Sequence, residues 1–158
     1  MDQTRQLLRH ALATLAYRAG KALSGVPASF ADMRACASGR SAVEILSHMS
    51  DLLNWVGWLA RGENGKPHAK PQGWDFEVTR FYTALRRLDD WLASDAPLHC
   101  DPRGLFQGPI ADALTHVGQL AMLRRLAGSP IRGENYFLAD IAVGRVGAEQ
   151  SAPREEFD

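Results

Sequence analysis

The sequence predicts an all-α protein: a four-helix bundle with a long connection between its first two helices and an irregular C-terminal segment. Four stretches, each roughly 20 residues long, carry apolar residues at intervals of three and four, the period of a helix that buries one face. No stretch alternates apolar and polar residues in the way that predicts a strand. Four such helices pack most economically around a single core.

Composition favours one ordinary globular domain, which we expect over residues 1–145, followed by a flexible tail at 146–158. The 18 basic and 18 acidic side chains balance, so no overall field attracts nucleic acid or an anionic membrane. The N-terminus lacks the apolar run of a signal peptide, and no segment reaches the roughly 20 apolar residues of a membrane span. The two cysteines, Cys36 and Cys100, are too far apart for a zinc ribbon. These features predict a cytoplasmic location.

The first helix is expected from about Gln3 to Leu23, where a glycine and a proline follow the apolar stripe. The connection over 24–39 is longer than a tight turn between neighbouring helices needs, so we expect it to cross the bundle. Two of its apolar side chains are expected to pack against the core: Phe30 and Met33.

The second helix is expected to begin near Ser41, because Glu44 lies three residues later and completes the pattern of a capping box. Gly62 ends it. The polar stretch GENGKPHAKPQG, which contains His68, reads as a surface loop. The third helix has the cleanest period, with apolar residues from Trp74 to Leu92 and most charged residues off that stripe.

The fourth helix is expected from about Pro109 to Ala127, after a loop over 94–102. Gly128 and Pro130 follow the last apolar residue and are expected to end the helix. The chain beyond this helix has little periodicity. Its segment ENYFLADI carries apolar groups that we expect to pack on the bundle, and its last residues have the composition of a disordered tail.

Three residues of the predicted helices form a candidate metal site. Asp112 and His116 are four residues apart and share one helix face, and His48 lies near the apolar stripe of the second helix. Two imidazoles and one carboxylate leave coordination positions open for water or a substrate, as in reactive metal sites. The alternatives are a hydrogen-bonded core histidine for His48 and an ordinary ion pair on the helix surface for Asp112 and His116.

Other residues near this face have two interpretations each. Trp55 lies two turns after His48 and either packs in the core or lines a pocket beside the metal. Tyr82 is either a core residue or a hydroxyl that reaches the site, and Gln119 is either solvent-exposed or a hydrogen-bond donor behind the ligands. Arg124 and Arg125 either bind an anionic substrate or place a favourable positive charge at the C-terminus of the fourth helix.

Two segments, VEILSHMSDLLNW and DALTHVGQLAMLRRLAG, resemble the signature helices of the DinB/YfiT-like superfamily, a group of metal-binding four-helix bundles. The resemblance covers most of residues 1–128. It implies that His48 is the first metal ligand and His116 the last, whereas the family's remaining histidine falls at Asp112. Gly118 and Gln119 match the family's Gly-Gln, and a glycine inside a helix predicts close packing against a neighbouring helix.

The resemblance implies a divalent transition metal, Zn, Ni, Fe or Mn, with the carboxylate shifting preference from Zn or Ni toward Fe or Mn. The alternative is a degenerate site in which Asp112 only hydrogen-bonds His116.

The function implied is a metal-dependent thiol S-transferase that uses a low-molecular-weight thiol as cosubstrate and acts on a small electrophile. A metal-dependent hydrolase is the second candidate, and a non-catalytic bundle that binds a small ligand or a protein is the third. No residue stands out as a general base, which favours thiol transfer. A homodimer is expected from similar bundles, and the balanced charge disfavours nucleic acid as a partner.

Overall fold

The computed structural model describes residues 2–65 and 70–158, in which four long helical segments surround one hydrophobic core. The prediction of an all-α protein is therefore confirmed. His68 lies outside the described residues. Within them, no helix has the length and apolarity that crossing a membrane requires. The helices are α1, Gln3–Leu23; α2, Ala42–Arg61; α3, Trp74–Ala93; α4, Pro102–Leu105; and α5, Ala111–Leu126, which follows α4 through a π-helical turn, Phe106–Ile110.

The ends of α1 and α2 follow from the local sequence. The Asp2 carboxylate accepts a hydrogen bond from the Thr4 N–H, which satisfies one of the free donors at the start of α1. Ser41 and Glu44 form the predicted capping box at the start of α2. Gly62 ends α2 in the left-handed conformation, with φ of 71°, which glycine adopts without steric cost. The predicted bounds of α1 and the predicted cap of α2 are thus confirmed.

The four long segments pack in a ring, in which α1 and α2 each contact both α3 and α5. The chain must therefore cross from one corner to the opposite one between α1 and α2, as the length of this connection predicts. Phe30 lies in a short 3₁₀ turn of the crossing and is buried, with its ring edge-on to Trp74 at 5.2 Å between centroids. Met33 packs against the core, so both expected anchors are confirmed.

The fourth helical segment begins earlier than the sequence predicts, at Pro102 instead of Pro109. Pro109 has no N–H to donate to the carbonyl of Leu105, four residues earlier, and the chain passes this position as a π-helical turn. The Asp101 carboxylate caps the new start by accepting from the Arg103 N–H. The predicted start at Pro109 is therefore wrong, because this proline lies inside the helical segment instead of at its beginning.

Two acidic residues that belong to the polar part of the α3 sequence are buried, and each is paired with an arginine. Asp89 accepts two hydrogen bonds from Arg9 of α1, at 2.8 and 2.9 Å. Glu77 accepts from Arg80 at 3.0 Å, and the same guanidinium also pairs with Asp51 of α2. Most charged residues of α3 were expected to lie off the buried stripe, and Asp89 and Glu77 are nevertheless buried. Pairing with arginines from this and neighbouring helices offsets the cost of burying their charge.

The chain after α5 lies against α1. Glu134 is buried and accepts hydrogen bonds from the Tyr17 hydroxyl at 2.6 Å and from Lys21 at 2.9 Å. Two short antiparallel strands, β1 (Gly133–Glu134) and β2 (Glu156–Phe157), join this segment to the C-terminus, and Glu156 also accepts from Lys21. Flexibility of residues 146–158 stays a prediction, and the structure gives this segment these specific contacts.

Candidate metal centre

The first member of the candidate metal centre, His48, lies on α2, one turn after the capping box that fixes the start of that helix. Its neighbours at positions 45, 49 and 52 are buried in the core. The imidazole sits at the edge of this buried stripe, and its side chain is 29% exposed. It can therefore be reached by a small ligand while its backbone is fixed by the packing of α2.

Asp112 and His116 lie in the first two turns of α5, directly after the π-helical turn. His116 is 8% exposed and Asp112 is 45% exposed, so the pair spans the boundary between core and solvent. Irregular turns of this kind occur often at functional sites, because they change which residues of a helix face a neighbour. Packing of α5 against α2 brings this pair to His48.

The structure brings the three side chains together, although 64 residues of sequence (112 minus 48) separate His48 from Asp112. One nitrogen or oxygen of each lies within 4.8 Å of the others. His48 Nε2 is 3.6 Å from Asp112 Oδ2, and His116 Nδ1 is 3.3 Å from Asp112 Oδ1. The two imidazole rings meet edge to face, with 4.8 Å between their centroids. The carboxylate thus lies beside both rings.

A backbone hydrogen bond selects the tautomer of His116. Its Nδ1–H donates to the carbonyl of Asp112 at 2.8 Å. The other nitrogen, Nε2, then carries the lone pair that a metal requires, which is the usual arrangement of a metal-binding histidine. Because the carbonyl takes this proton, the Asp112 carboxylate is not required as its acceptor. The same nitrogen lies 3.3 Å from Asp112 Oδ1, so a degenerate site in which Asp112 only hydrogen-bonds His116 stays the alternative interpretation.

The surroundings of His48 favour its neutral form. Burial lowers the pKa of the imidazole, and the charge of Arg40 and the neighbouring His116 lower it further, while Asp112 opposes them. A neutral imidazole has a free lone pair near pH 7, which is the form that binds a metal.

The donor set fits a divalent transition metal. Ligand atoms bound at about 2.1 Å to one ion lie at most about 4.2 Å apart. The three donors lie within 4.8 Å of one another, so a small rotation of the side chains is enough for them to share one ion. Two nitrogens and one carboxylate suit Zn, Ni, Fe or Mn, and three protein ligands leave positions open for a substrate.

Two clefts adjoin the centre. His48 lines the larger one, of about 700 Å³, together with Trp55, a residue that is 41% exposed. His116 and Gln119 line a smaller one of about 410 Å³. Arg40 lines both clefts. The ligands are thus accessible from two sides, and the larger space matches the size of a small organic molecule.

Of the three residues expected near the metal centre, two line the clefts and one does not. The structure places Trp55 in the wall of the large cleft instead of in the core, and it places Gln119 on the surface beside His116. Tyr82 is buried elsewhere, with its hydroxyl against α1 at Gly20, where a Cβ would be 3.4 Å away. Burial raises its pKa to about 12. Tyr82 is therefore a packing residue of the α1–α3 contact.

The structure also tests the expectations about Gly118 and about the two arginines of α5. A Cβ at Gly118 would meet no atom within 4 Å, so the expected close packing of a neighbouring helix against this glycine is wrong. Arg124 is buried and donates to the carbonyls of Ala22, Ser24 and Gly25, at the end of α1. This arginine caps α1, whereas Arg125 is exposed.

Sequence reasoning missed Arg40, which lies between both clefts. A signal was present: a positive charge directly before the cap of α2 is unfavourable beside the positive end of the helix dipole, so helix stability does not explain it. It also missed the pairing of Asp51 with Arg80 beneath the large cleft. This contact joins two helices and has no sequence signature.

Comparison of the chain with protein-family models, with curated proteins and with solved structures gives no match.

Proposed function

We propose that the protein binds one divalent transition metal through His48, Asp112 and His116, as a DinB-like four-helix bundle, and that it is a metal-dependent thiol S-transferase. The observation that carries the proposal is the meeting of these three side chains, from two helices, where His48 lines one open cleft and His116 lines another. The resemblance of the two helices to the DinB/YfiT-like signature supports the same assignment.

A divalent ion in such a site lowers the pKa of a bound thiol or water and so supplies a nucleophile at neutral pH. The hydrogen bond to the Asp112 carbonyl orients the His116 ring, and burial lowers the pKa of His48, which favours its neutral form. In thiol transfer to a chloro-aromatic acceptor, the sulfur forms a bond to the ring carbon and chloride leaves with the bonding electrons. The thiol proton passes to the buffer.

The acids of the large cleft favour thiol transfer over hydrolysis. Glu44 pairs with Arg34 at 2.9 Å, and Asp51 pairs with Arg80. Both carboxylates are therefore engaged, and neither is positioned as a free general base for an attacking water. Hydrolysis remains the second candidate because the same metal can activate water, and a non-catalytic binding role is the third.

The test is turnover of a chloro-aromatic acceptor with a panel of low-molecular-weight thiols, measured on protein loaded with Zn, Ni, Fe or Mn and on protein stripped of metal. We expect thiol-dependent chloride release that needs the metal and is lost in Asp112→Ala. His10→Ala, which changes an exposed histidine of α1, is the matched control and retains activity. Absence of metal-dependent turnover with every thiol would overturn the transferase assignment.

A further inference from the structure

Of the charged groups that line the large cleft, both acids form ion pairs with described residues, but two of the bases do not. Three are basic and two are acidic. Of the acids, Glu44 is paired with Arg34, and Asp51 is paired with Arg80 from α3. The remaining two bases, Arg40 and Lys70, have no ion-pair partner within the part of the chain that the structure describes. The wall of the cleft therefore offers positive charge that no ion pair with a described residue neutralises.

Arg40 lies close to the metal centre. It lines both the cleft that contains His48 and the cleft that contains His116. Because Arg40 also precedes the capping box of α2, its backbone is held beside a fixed helix end. An anion bound by this guanidinium would sit next to the open side of the metal ligands.

The rest of the cleft provides apolar contact. Trp55 is 41% exposed and stands in the wall with Leu52 and Pro71. A planar guanidinium binds a carboxylate through two parallel hydrogen bonds, and an indole face packs against an aromatic or aliphatic body. A volume of about 700 Å³ accommodates a molecule that carries both parts.

We propose that the large cleft binds a small organic acid, with its carboxylate on Arg40, assisted by Lys70, and its apolar body against Trp55. The proposal rests on the proposed function for the role of this acid as the electrophilic substrate. Binding itself needs only protein side chains, so it is measured on protein stripped of metal. Failure of metal binding and failure of acid recognition are then separate results.

The experiment is a titration of metal-free protein, dialysed free of chelator, with benzoate, with the neutral isostere benzamide and with inorganic phosphate. Binding is followed by calorimetry and by the NMR shift of the Trp55 indole N–H, identified by its loss in Trp55→Phe. We expect benzoate to bind at least tenfold more tightly than benzamide and than phosphate, and to shift the Trp55 signal.

Substitutions then assign the contact. Arg40→Gln is expected to weaken benzoate binding at least tenfold and to leave the weak benzamide binding unchanged. Arg87→Gln, which changes an exposed arginine of α3, is the matched control and retains the wild-type affinity. Lys70→Gln is expected to give a smaller loss, because an ammonium lacks the paired donors of arginine.

Three results would overturn the proposal. Equal affinity for benzoate and benzamide would remove the carboxylate as the recognised group. Tighter binding of phosphate than of benzoate would assign the positive charge to another class of anion. An unchanged benzoate affinity in Arg40→Gln, with wild-type unfolding of that variant, would place the acid elsewhere.

Discussion

His48 is the residue of the centre whose charge depends most clearly on its surroundings. Its folded-state pKa lies below the ordinary value because it is partly buried beside Arg40 and His116, with Asp112 opposing. The unfolded chain therefore binds this proton more readily than the folded protein does. By linkage, its contribution to stability is present above about pH 6.5 and is lost as pH falls through the folded pKa.

The lowered pKa of His48 predicts that the free energy of unfolding depends on pH and that substitution of His48 reduces this dependence. In metal-free protein, the free energy of unfolding of the wild type should fall between pH 7.5 and pH 5 by more than that of His48→Gln. Urea denaturation at both pH values measures it. His10→Gln should retain the wild-type dependence, because His10 is exposed. Equal pH dependence in wild type and His48→Gln would contradict the assigned environment of His48.

Gly118 makes a second prediction at the residue scale. It lies inside α5 without a positive φ, and an added Cβ would meet open space. Alanine at this position should therefore raise the free energy of unfolding by about 1 kcal/mol, the difference in helix propensity between the two residues. Urea denaturation of Gly118→Ala tests it, and a loss of stability would show that this glycine is required by a contact absent from the structure.

At the scale of the elements, α5 stabilises α1 through one side chain. Arg124 supplies donors to three carbonyls where α1 ends, and it also bonds the Ser129 carbonyl at 2.7 Å. Burial lowers its pKa, and the negative end of the α1 dipole offsets that cost. No carboxylate takes part in these hydrogen bonds, so the helix end itself receives the charge.

The neighbouring arginines of α5 provide a matched pair of variants. Arg124→Met should lower the free energy of unfolding by about 3 kcal/mol, because it leaves buried carbonyls without donors. Arg125→Met should change it by less than about 0.5 kcal/mol, since that side chain is exposed. Urea denaturation compares them, and similar values for the two variants would contradict the cap.

The sequence predicted the elements unevenly, for physical reasons. Caps and apolar periods are local, and they gave the bounds of α1 and the capping box at Ser41. The start of α4 was missed because Pro109 is compatible with either a helix start or an internal π turn. The buried position of Asp89 was missed because its partner, Arg9, is 80 residues away.

Across the whole molecule, the C-terminal segment is joined to α1 by paired charges. Lys21 lies between Glu134 and Glu156, at 2.9 Å from each. Deletion of residues 147–158 should therefore lower the free energy of unfolding by at least about 1 kcal/mol, a fall in Tm of roughly 2–4 °C.

Calorimetry of the truncated chain checks this prediction. Glu155→Gln serves as the control, because Glu155 is exposed, its side chain accepts a long hydrogen bond of 3.4 Å from Asn135, and the substitution leaves its backbone hydrogen bond to Asn135 in place. An unchanged Tm after truncation would mean that the segment contributes nothing to the folded state and would favour the flexible tail expected from its composition.

The proximity of Asp112 and His116 was predictable from the sequence, since their i, i+4 spacing depends only on helix geometry. That His48 would lie opposite them depends on how α2 packs against α5, and the resemblance supplied that expectation. Arg40 and the two clefts could not be predicted, because they arise where the crossing connection meets two helices.

The central claim is that these three side chains hold a metal, and elemental mass spectrometry of the untagged protein tests it most directly. Wild type and His10→Ala should carry close to one equivalent of a transition metal after reconstitution. Asp112→Ala and His116→Ala should carry almost none, while circular dichroism shows that they remain folded. Wild-type protein that takes up no Zn, Ni, Mn or Fe, or variants that keep a full equivalent, would contradict the claim.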